Sequence, residues 1–435
     1  MAKMKKSEII LWVAVAIALA ANIWLPRHIR QKYSWERDLS QRIAADFCKT
    51  REEVKSEIRE FNPYVSDNDI DKWTESGMLE SMVIGKRVMY FKNAAPNLQR
   101  IIDFQKSVHT APADYSLNEK ELPEGFLEPQ RMRVRYSITI PVHTLRPGKT
   151  LRCWLPYPRA DVPRQTDIKF IEAGVDSVAY PMEKITFSDP SCAHSSLYME
   201  AKTNRYKDVT FYEVFEYTSA GEYHPVYPDS VKPYITDRKE YKEYTSERDN
   251  HIIFTPDIKD LADSLTAGTD NPFLQAVAMF SWIDRNIPWA SAREYSTIEN
   301  IPEYVLTEGH GDCGMKTLLL MAMCRYKGIP IRWQSGFYME PGGSNLHDWA
   351  EIYFEGYGWM PVDQSFGYSE KLGYFYLGGI DPWRLVVNSD YGRELSPAKK
   401  YPRSETVDFQ RGEVEWEGGN IYFNQWDYDF TIEYL

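Results

Sequence analysis

The 435-residue sequence has few cysteines and no clustered positive charge. Its five cysteines include no CxxC pair, so a zinc site built from thiolates is not expected. Asp and Glu outnumber Lys and Arg by 63 to 51, which gives a net charge of −12. No basic stripe with interleaved aromatic residues occurs, and nucleic-acid binding requires a positive surface. We therefore expect no metal, no cofactor and no nucleic-acid partner.

Long apolar runs are also scarce, and the clearest one lies near the N-terminus at residues 9–25. It follows three lysines within the first six residues, a pattern typical of a signal peptide or a signal anchor. Ala18-Leu19-Ala20 is a candidate cleavage site, but the run continues to Leu25 and is near the lower length limit for a membrane span. We favour an uncleaved membrane anchor over secretion after cleavage. Either way, we expect the rest of the chain outside the cytoplasm, in the periplasm or at the cell surface.

Hydrophobic periodicity divides the rest of the chain into regions of different character. Apolar residues recur at helical spacing between Gln41 and Phe61, and Ser66-Asp-Asn-Asp69 resembles a capping box that opens another helix. Residues 131–140 alternate polar and apolar side chains, as a half-buried strand does. The predicted regions are a signal anchor or signal peptide (1–33), a mostly helical N-terminal region (34–125), a β-sandwich-like domain (126–222), a linker (223–249), a core of helices followed by strands (250–371) and an aromatic, β-rich C-terminal extension (372–435).

Within the predicted core, helices precede strands, which indicates an α+β fold. Thr269 or Asp270 is expected to cap a helix that ends before Pro288. Asp312 is a second N-cap candidate, and the apolar run after it predicts a helix over 313–327 closed by Gly328. The candidate strands that follow are 329–338, 347–354 and 359–363.

Cys313 lies in the first turn of the second of these helices, between Asp312 and Gly314. Backbone N–H groups and the helix dipole favour an anion there, so we expect a stabilised thiolate, the form that attacks carbonyl carbon. Cys324 follows on the same helix, about 16 Å away at about 1.5 Å per residue. That distance excludes a disulfide between the two, and Cys324 is better interpreted as a buried thiol.

A nucleophilic cysteine needs a base, and the base needs an orienting group. His347 belongs to one candidate strand, and Asp363 ends the next strand after a Gly-rich turn. Antiparallel pairing of these strands would bring His347 and Asp363 together, and packing of the cysteine helix against them would complete a Cys–His–Asp triad. His310 is an alternative base because it lies three residues before Cys313.

Residues 308–366 resemble the transglutaminase-like superfamily, a branch of the papain-like cysteine enzymes. The resemblance implies a papain-like core, in which the helix bearing the cysteine packs on an antiparallel sheet, and it assigns nucleophile, base and orienting carboxylate to Cys313, His347 and Asp363. Asp348 departs from the family pattern, which usually has a small or apolar residue after the histidine. We expect Asp348 to hydrogen-bond near the site or to face solvent. The matching segments are Gly311-Asp-Cys-Gly314, Gly328-Ile-Pro-Ile-Arg332, His347-Asp-Trp-Ala-Glu351 and Gly358-Trp-Met-Pro-Val-Asp363.

The reaction that this resemblance implies is acyl transfer from a peptide or protein amide through a thioester on cysteine. Hydrolysis is the favoured outcome, which would make the protein a peptidase or amidase, and a crosslinking transglutaminase is the alternative. Eukaryotic crosslinking members use calcium, and no comparable acidic loop occurs here. A non-enzymatic envelope module that binds peptide or glycan, with a vestigial triad, is the alternative from another class.

Two further residues are candidates for substrate binding. Trp349 could line the site, although a core position is the alternative, and Gln334 could lie beside an oxyanion. The sequence does not identify the substrate, the acceptor of the acyl group or the oligomeric state. It also leaves the roles of residues 34–125 and of the C-terminal extension open.

Overall fold

The computed structural model describes residues 39–107, 124–176, 178–179, 181–368 and 372–435. Within these ranges no helix is both long enough and apolar enough to cross a membrane. The apolar run at 9–25 lies outside the described residues.

In the described ranges, eight α-helices with defined ends follow a helical segment that ends at residue 46. They are α1 (Arg51–Phe61), α2 (Asp67–Glu75), α3 (Ala94–Lys106), α4 (Lys239–Tyr244), α5 (Pro256–Thr266), α6 (Pro272–Asn286), α7 (Ile301–Glu308) and α8 (Cys313–Tyr326).

The strands form five antiparallel sheets in the described part of the chain. They are β1 (Ser81–Ile84), β2 (Arg87–Tyr90), β3 (Gly125–Phe126), β4 (Gln130–Ile140), β5 (Thr150–Pro156), β6 (Gln165–Val175), β7 (Val178–Ala179), β8 (Thr186–Phe187), β9 (Ser196–Lys202), β10 (Val209–Ser219), β11 (Glu222–Tyr223), β12 (Ile331–Tyr338), β13 (Asn345–Phe354), β14 (Gly358–Val362), β15 (Gly379–Ile380), β16 (Arg384–Asn388), β17 (Glu413–Trp416), β18 (Gly419–Ile421) and β19 (Asp427–Tyr434).

The N-terminal helices pack around a small core of their own. Thr50 and Ser66 each form a capping box, and the box at Ser66 and Asp69 confirms the sequence prediction. The helical pattern predicted between Gln41 and Phe61 is interrupted, because residues 47–50 leave the helix and Thr50 caps a new one. The apolar faces of α1, α2 and α3 bury Val54, Ile70 and Leu98 against each other and exclude them from water.

Two five-stranded sheets form the sandwich, with strand orders β19-β4-β10-β6-β7 and β18-β17-β5-β9-β8. Alternate residues of β4, such as Met132, Val134 and Tyr136, point into the shared core. Strands from the C-terminal segment complete both sheets, since β19 pairs with β4 and β17 pairs with β5. The C-terminal segment is thus part of both sheets of the sandwich.

The third large sheet has the order β14-β13-β12-β16, and α8 packs against it. Leu319 and Met323 of α8 share a core with Ala350 and Ile352 of β13. Phe337 of β12 and Leu385 of β16, which are paired in the same sheet, join the core of the sandwich. This helix on an antiparallel sheet confirms the α+β fold class and the expected core architecture.

Local signals set the ends of the core helices. Asn271, and not Thr269 or Asp270, caps α6, because its side chain accepts from the N–H groups of Phe273 and Leu274. Asp312 caps α8 as predicted, and Gly328 follows the helix with a φ of 74°, a conformation that glycine adopts without strain.

Candidate active site

Cys313 is the first residue of α8, and its side chain is half-buried. The helix begins there because the Asp312 carboxylate accepts from the Met315 N–H at 3.0 Å. The carbonyl oxygen of Cys313 accepts from the Thr317 hydroxyl at 2.8 Å and from the Gln364 amide at 3.3 Å. These bonds fix the backbone that carries the thiol.

His347 and Asp363 are held together, as the strand pairing predicted. The antiparallel register of β13 and β14 places Ala350 opposite Val362, so Asp363 at the end of β14 comes close to His347. Nε2 of His347 lies 2.6 Å from Oδ2 of Asp363. The second oxygen of Asp363 accepts from the Ser365 N–H at 3.2 Å. Because Nε2 of His347 is engaged by Asp363, Nδ1 of the imidazole is left to exchange a proton with another group.

Arg384 of β16 is the second support of Asp363, and it has no exposed surface. Its guanidinium donates to Asp363 Oδ2 at 3.1 Å and also pairs with Asp381. It stacks between Tyr338 and Phe366, at 4.3 Å and 4.4 Å from their ring centroids. Burial alone would raise the pKa of Asp363, but His347 and Arg384 outweigh burial and the pKa is lowered. Asp363 is therefore an ionised carboxylate in the neutral range.

The hydrogen-bond partner of the Cys313 thiol is Asp348, whose Oδ2 accepts from Sγ at 3.4 Å. Within the described residues, no hydrogen bond joins Cys313 to His347. Burial, followed by the negative charges of Asp348 and Asp312, raises the pKa of Cys313 well above its usual value. This direction is opposite to the stabilised thiolate expected from the helix N-terminus alone. Burial and the two carboxylates, which the helix N-terminus alone does not reveal, set this direction.

Asp348 is 1% exposed, so the solvent-facing alternative for this residue is wrong. Its side chain lies on the face of β13 that packs against α8, because residues two apart on a strand share a face and Ala350 and Ile352 lie in the α8 core. Gly314 makes room for it. A Cβ at Gly314 would lie 2.7 Å from Asp348 Oδ2 and closer still to the Tyr295 hydroxyl.

The C-terminal segment reaches the site through Gln410. Its amide nitrogen donates to Asp348 Oδ1 at 2.9 Å and to Asp408 at 3.1 Å, and its amide oxygen accepts from the backbone N–H of His347 at 3.0 Å. Gln410 thus connects the strand that carries His347 with the carboxyl group that contacts Cys313.

Cys313, His347 and Asp348 line one cleft with a volume of about 750 Å³. The N-terminal helical region supplies part of its wall through Asp46 and Lys92, which form an ion pair at 2.8 Å. Residues 39–107 therefore border the site. The cleft also contacts the loop before α7 and the C-terminal segment.

The two residues predicted to bind substrate lie behind His347 and do not line this cleft. Trp349 is fully buried and donates to Gln334 Oε1 at 2.8 Å. Its ring stacks on His347, with centroids 5.8 Å apart and planes 23° apart. Trp349 therefore packs against the His347 imidazole, and Gln334 holds the Trp349 indole through its hydrogen bond.

His310, the alternative base, is buried and is not among the residues that line the cleft. Burial lowers its pKa to about 4. All five cysteines are free, and the thiol of Cys324 is buried in the core, which confirms the interpretation of Cys324 as a buried thiol.

Sequence reasoning missed several residues of the site. Arg384 and Gln410 carry no motif, and they reach the site only through the tertiary fold. Gln364 had a local signal, since it directly follows Asp363, and Asp348 had one in its departure from the family pattern.

The arrangement contains the groups that nucleophilic acyl transfer requires. A thiol sits at a helix N-terminus, where backbone N–H groups can stabilise negative charge, and an imidazole held by a buried carboxylate borders the same cleft. A thiol and an imidazole thus border the same cleft.

Comparison with known proteins agrees with this geometry. Residues 259–364 match the model of the transglutaminase-like superfamily core. A curated relative, the uncharacterized protein YebA of Bacillus subtilis (strain 168), is 24% identical over 256 residues, which is 52% of this chain and 34% of YebA. The chain therefore spans about a third of the length of that relative.

Two solved structures show weaker likeness. A candidate cysteine protease from Cytophaga hutchinsonii has 13% identity and a TM-score of 0.48, covering 71% of this chain and 92% of its own. The periplasmic domain of TgpA from Pseudomonas aeruginosa has 14% identity and a TM-score of 0.27, covering 57% and 94%. The match at residues 259–364 shows a transglutaminase-like core domain within the chain.

Proposed function

We propose that this protein is a cysteine acyl-transfer enzyme that hydrolyses amide bonds in peptides or proteins. Cys313 is the nucleophile, His347 moves the proton, and Asp363 holds the imidazole. The observation that carries the proposal is the single cleft lined by Cys313 and His347, with His347 held 2.6 Å from Asp363.

In the first half of the reaction, Cys313 gives its proton to His347 and its sulfur attacks the amide carbonyl carbon. The carbonyl π electrons move to oxygen, and the oxyanion accepts hydrogen bonds from the backbone N–H groups of Cys313 and Gly314 at the start of α8, since those of Met315 and Lys316 already donate to Asp312. The C–N bond then breaks, the leaving amine takes a proton from His347, and a thioester remains on Cys313.

In the second half, water attacks the thioester while His347 accepts its proton. The C–S bond breaks, the acid product leaves and the thiol is restored. Asp363 stays ionised throughout, because Arg384 and His347 stabilise its negative charge. Transfer to an amine in place of water would give crosslinking.

The site of action is part of the proposal. The basic residues and apolar run at the N-terminus support a membrane anchor, with the cleft outside the cytoplasm in the periplasm or at the cell surface.

The test is turnover of a casein or peptide library by Cys313→Ala and by the control Cys48→Ala, which replaces an exposed cysteine. We expect Cys313→Ala to abolish turnover and Cys48→Ala to retain it, with both proteins folded by circular dichroism. Release of amine and acid products in equal amounts distinguishes hydrolysis from transfer to an added amine. Turnover by folded Cys313→Ala would refute the assignment.

A further inference from the structure

The contact between Cys313 and Asp348 is not part of the usual triad and places a second titratable group on the nucleophile. Oδ2 of Asp348 faces Sγ at 3.4 Å, and Oδ1 accepts from Gln410 at 2.9 Å. Each carboxyl oxygen thus has its own partner. If the carboxyl group carries a proton, Oδ2 is the oxygen that can donate it to sulfur.

We propose that Cys313 and Asp348 form a thiol–carboxyl pair that shares one proton in the resting enzyme. In one arrangement the S–H donates to a carboxylate, and in the other the carboxyl O–H donates to a thiolate. Moving the proton breaks the S–H bond and forms an O–H bond, with no change in the charge of the pair. Asp348 is therefore a proton acceptor for the nucleophile in addition to His347.

The surroundings favour a carboxyl group that holds a proton. Burial, followed by the charges of Asp408 and Asp312, raises the pKa of Asp348 well above its usual range. Burial also raises the pKa of Asp312 to about 6. Cys313 and Asp348, whose proton affinities both rise, titrate as a pair, and the second proton leaves at a higher pH than the first.

Other titratable groups surround the pair. The Tyr295 hydroxyl donates to Asp312. Arg411 lowers the pKa of Asp408 and of Glu405, but burial keeps both raised. On α8, burial lowers the pKa of Lys316. The groups that surround the pair from the packed elements are Asp312, Lys316, Tyr295, His347, Glu405, Asp408 and Arg411.

The importance of the pair for turnover rests on the proposed function, whereas proton sharing itself does not. If the thiol shares its proton with Asp348, the protonation of Cys313 depends on Asp348 as well as on His347. Asp348 is then expected to set the pH at which Cys313 becomes reactive.

The test is the rate at which iodoacetamide alkylates Cys313 in the full chain, followed by mass spectrometry from about pH 5 to about pH 10. We expect two steps in the wild-type profile, one for each proton of the pair. Asp348→Asn keeps the shape and an N–H donor but does not titrate. The alkylation rate of Asp348→Asn should therefore rise in one step. The midpoint of that step should lie at least about one pH unit below the upper wild-type step, which corresponds to about a tenfold difference in thiolate fraction.

Asp312→Asn is the matched control, because it removes a nearby charge without touching the sulfur and keeps a good N-cap. We expect it to shift the midpoints while both steps remain. Two steps in Asp348→Asn, or one wild-type step with the same midpoint as Asp348→Asn, would overturn the proposal.

A second measurement does not depend on the folding of Asp348→Asn. The ultraviolet absorbance of the thiolate, taken as wild type minus Cys313→Ala across the same pH range, should rise in two steps, and a single step would count against the pair. Neither measurement uses a substrate. Two steps without amide turnover would support the Cys313–Asp348 pair and contradict the proposed function. Amide turnover with a single step would support the proposed function and contradict the pair.

Discussion

Replacing Arg384 by methionine tests whether a buried cation holds the candidate site together. Arg384 has no exposed surface and donates to Asp363 at 3.1 Å. Methionine preserves much of the apolar volume between Tyr338 and Phe366 but removes the charge and the donors. Asp363 would then keep His347 as its partner for the same oxygen and lose the guanidinium.

The magnitude follows from the separation and from burial. Two unit charges 3.1 Å apart interact by about 5 kcal/mol at an effective dielectric constant of about 20. Removal of one partner of a buried pair typically costs about 3–5 kcal/mol, because the other charge is left without compensation. We expect Arg384→Met to lower the free energy of unfolding by about 3–5 kcal/mol at neutral pH.

The sign of the pH dependence follows from Asp363. Its pKa is lowered in the folded state, so its contribution is present above the unfolded pKa of about 3.9 and is lost as pH falls through the folded value. Loss of Arg384 raises that pKa again. The difference in stability between wild type and Arg384→Met should therefore be largest at neutral pH and shrink in acid.

Urea denaturation followed by tryptophan fluorescence measures this difference, with Arg384→Lys as the variant that keeps a charge but loses the planar fork. A double-mutant cycle with Asp363→Asn isolates the pair, and Arg384→Met should cost at least about 2 kcal/mol less in that background. A loss below about 1 kcal/mol for Arg384→Met alone, or full additivity in the cycle, would refute the reasoning.

Two further predictions concern buried neighbours of the cleft. Gly314→Ala should lower both stability and the alkylation rate of Cys313, although alanine is normally better by about 1 kcal/mol within a helix, because its Cβ would lie 2.7 Å from an Asp348 oxygen. Gly268→Ala, with nothing within 4 Å of the added carbon, is the control that should keep both, and equal behaviour of the two variants would contradict the steric argument. Burial raises the pKa of Glu80 to about 7, so the stability it contributes is complete below the unfolded pKa of about 4.3 and is lost as pH rises through about 7. Relative to wild type, the free energy of unfolding of Glu80→Gln should therefore rise by up to about 3 kcal/mol between about pH 5 and about pH 8, as measured by urea denaturation. Parallel stability curves of the two proteins over this pH range would exclude this role for Glu80.

The parts of the fold that the sequence predicted well depend on neighbouring residues. Asp312, the apolar run after it and Gly328 define α8 locally, and the structure places the helix at Cys313–Tyr326. A tight turn joins β13 to β14, so alternation along each strand was enough to bring His347 to Asp363. Helix caps and tight turns are defined by residues close in sequence, so few alternative local structures fit these segments.

The rest of the site depends on contacts between distant parts of the chain. Arg384 and Gln410 lie beyond the segment that matches the superfamily, and no local pattern shows that they meet Asp363 and Asp348. The electrostatic prediction for Cys313 failed for the same reason. The helix N-terminus is visible in the sequence, but the burial and the carboxylates that raise the thiol pKa are tertiary.

The C-terminal segment contributes strands to both sandwich sheets, and this has a consequence for the order in which the candidate site is assembled during synthesis. Cys313 leaves the ribosome well before Arg384, Gln410 and the residues of β19, which closes the sandwich only through residues 427–434. The growing chain therefore carries the thiol without the groups that position His347 and contact Asp348. A chain interrupted before Gln410 lacks a complete candidate site, so the site is assembled only after this C-terminal segment has been synthesised.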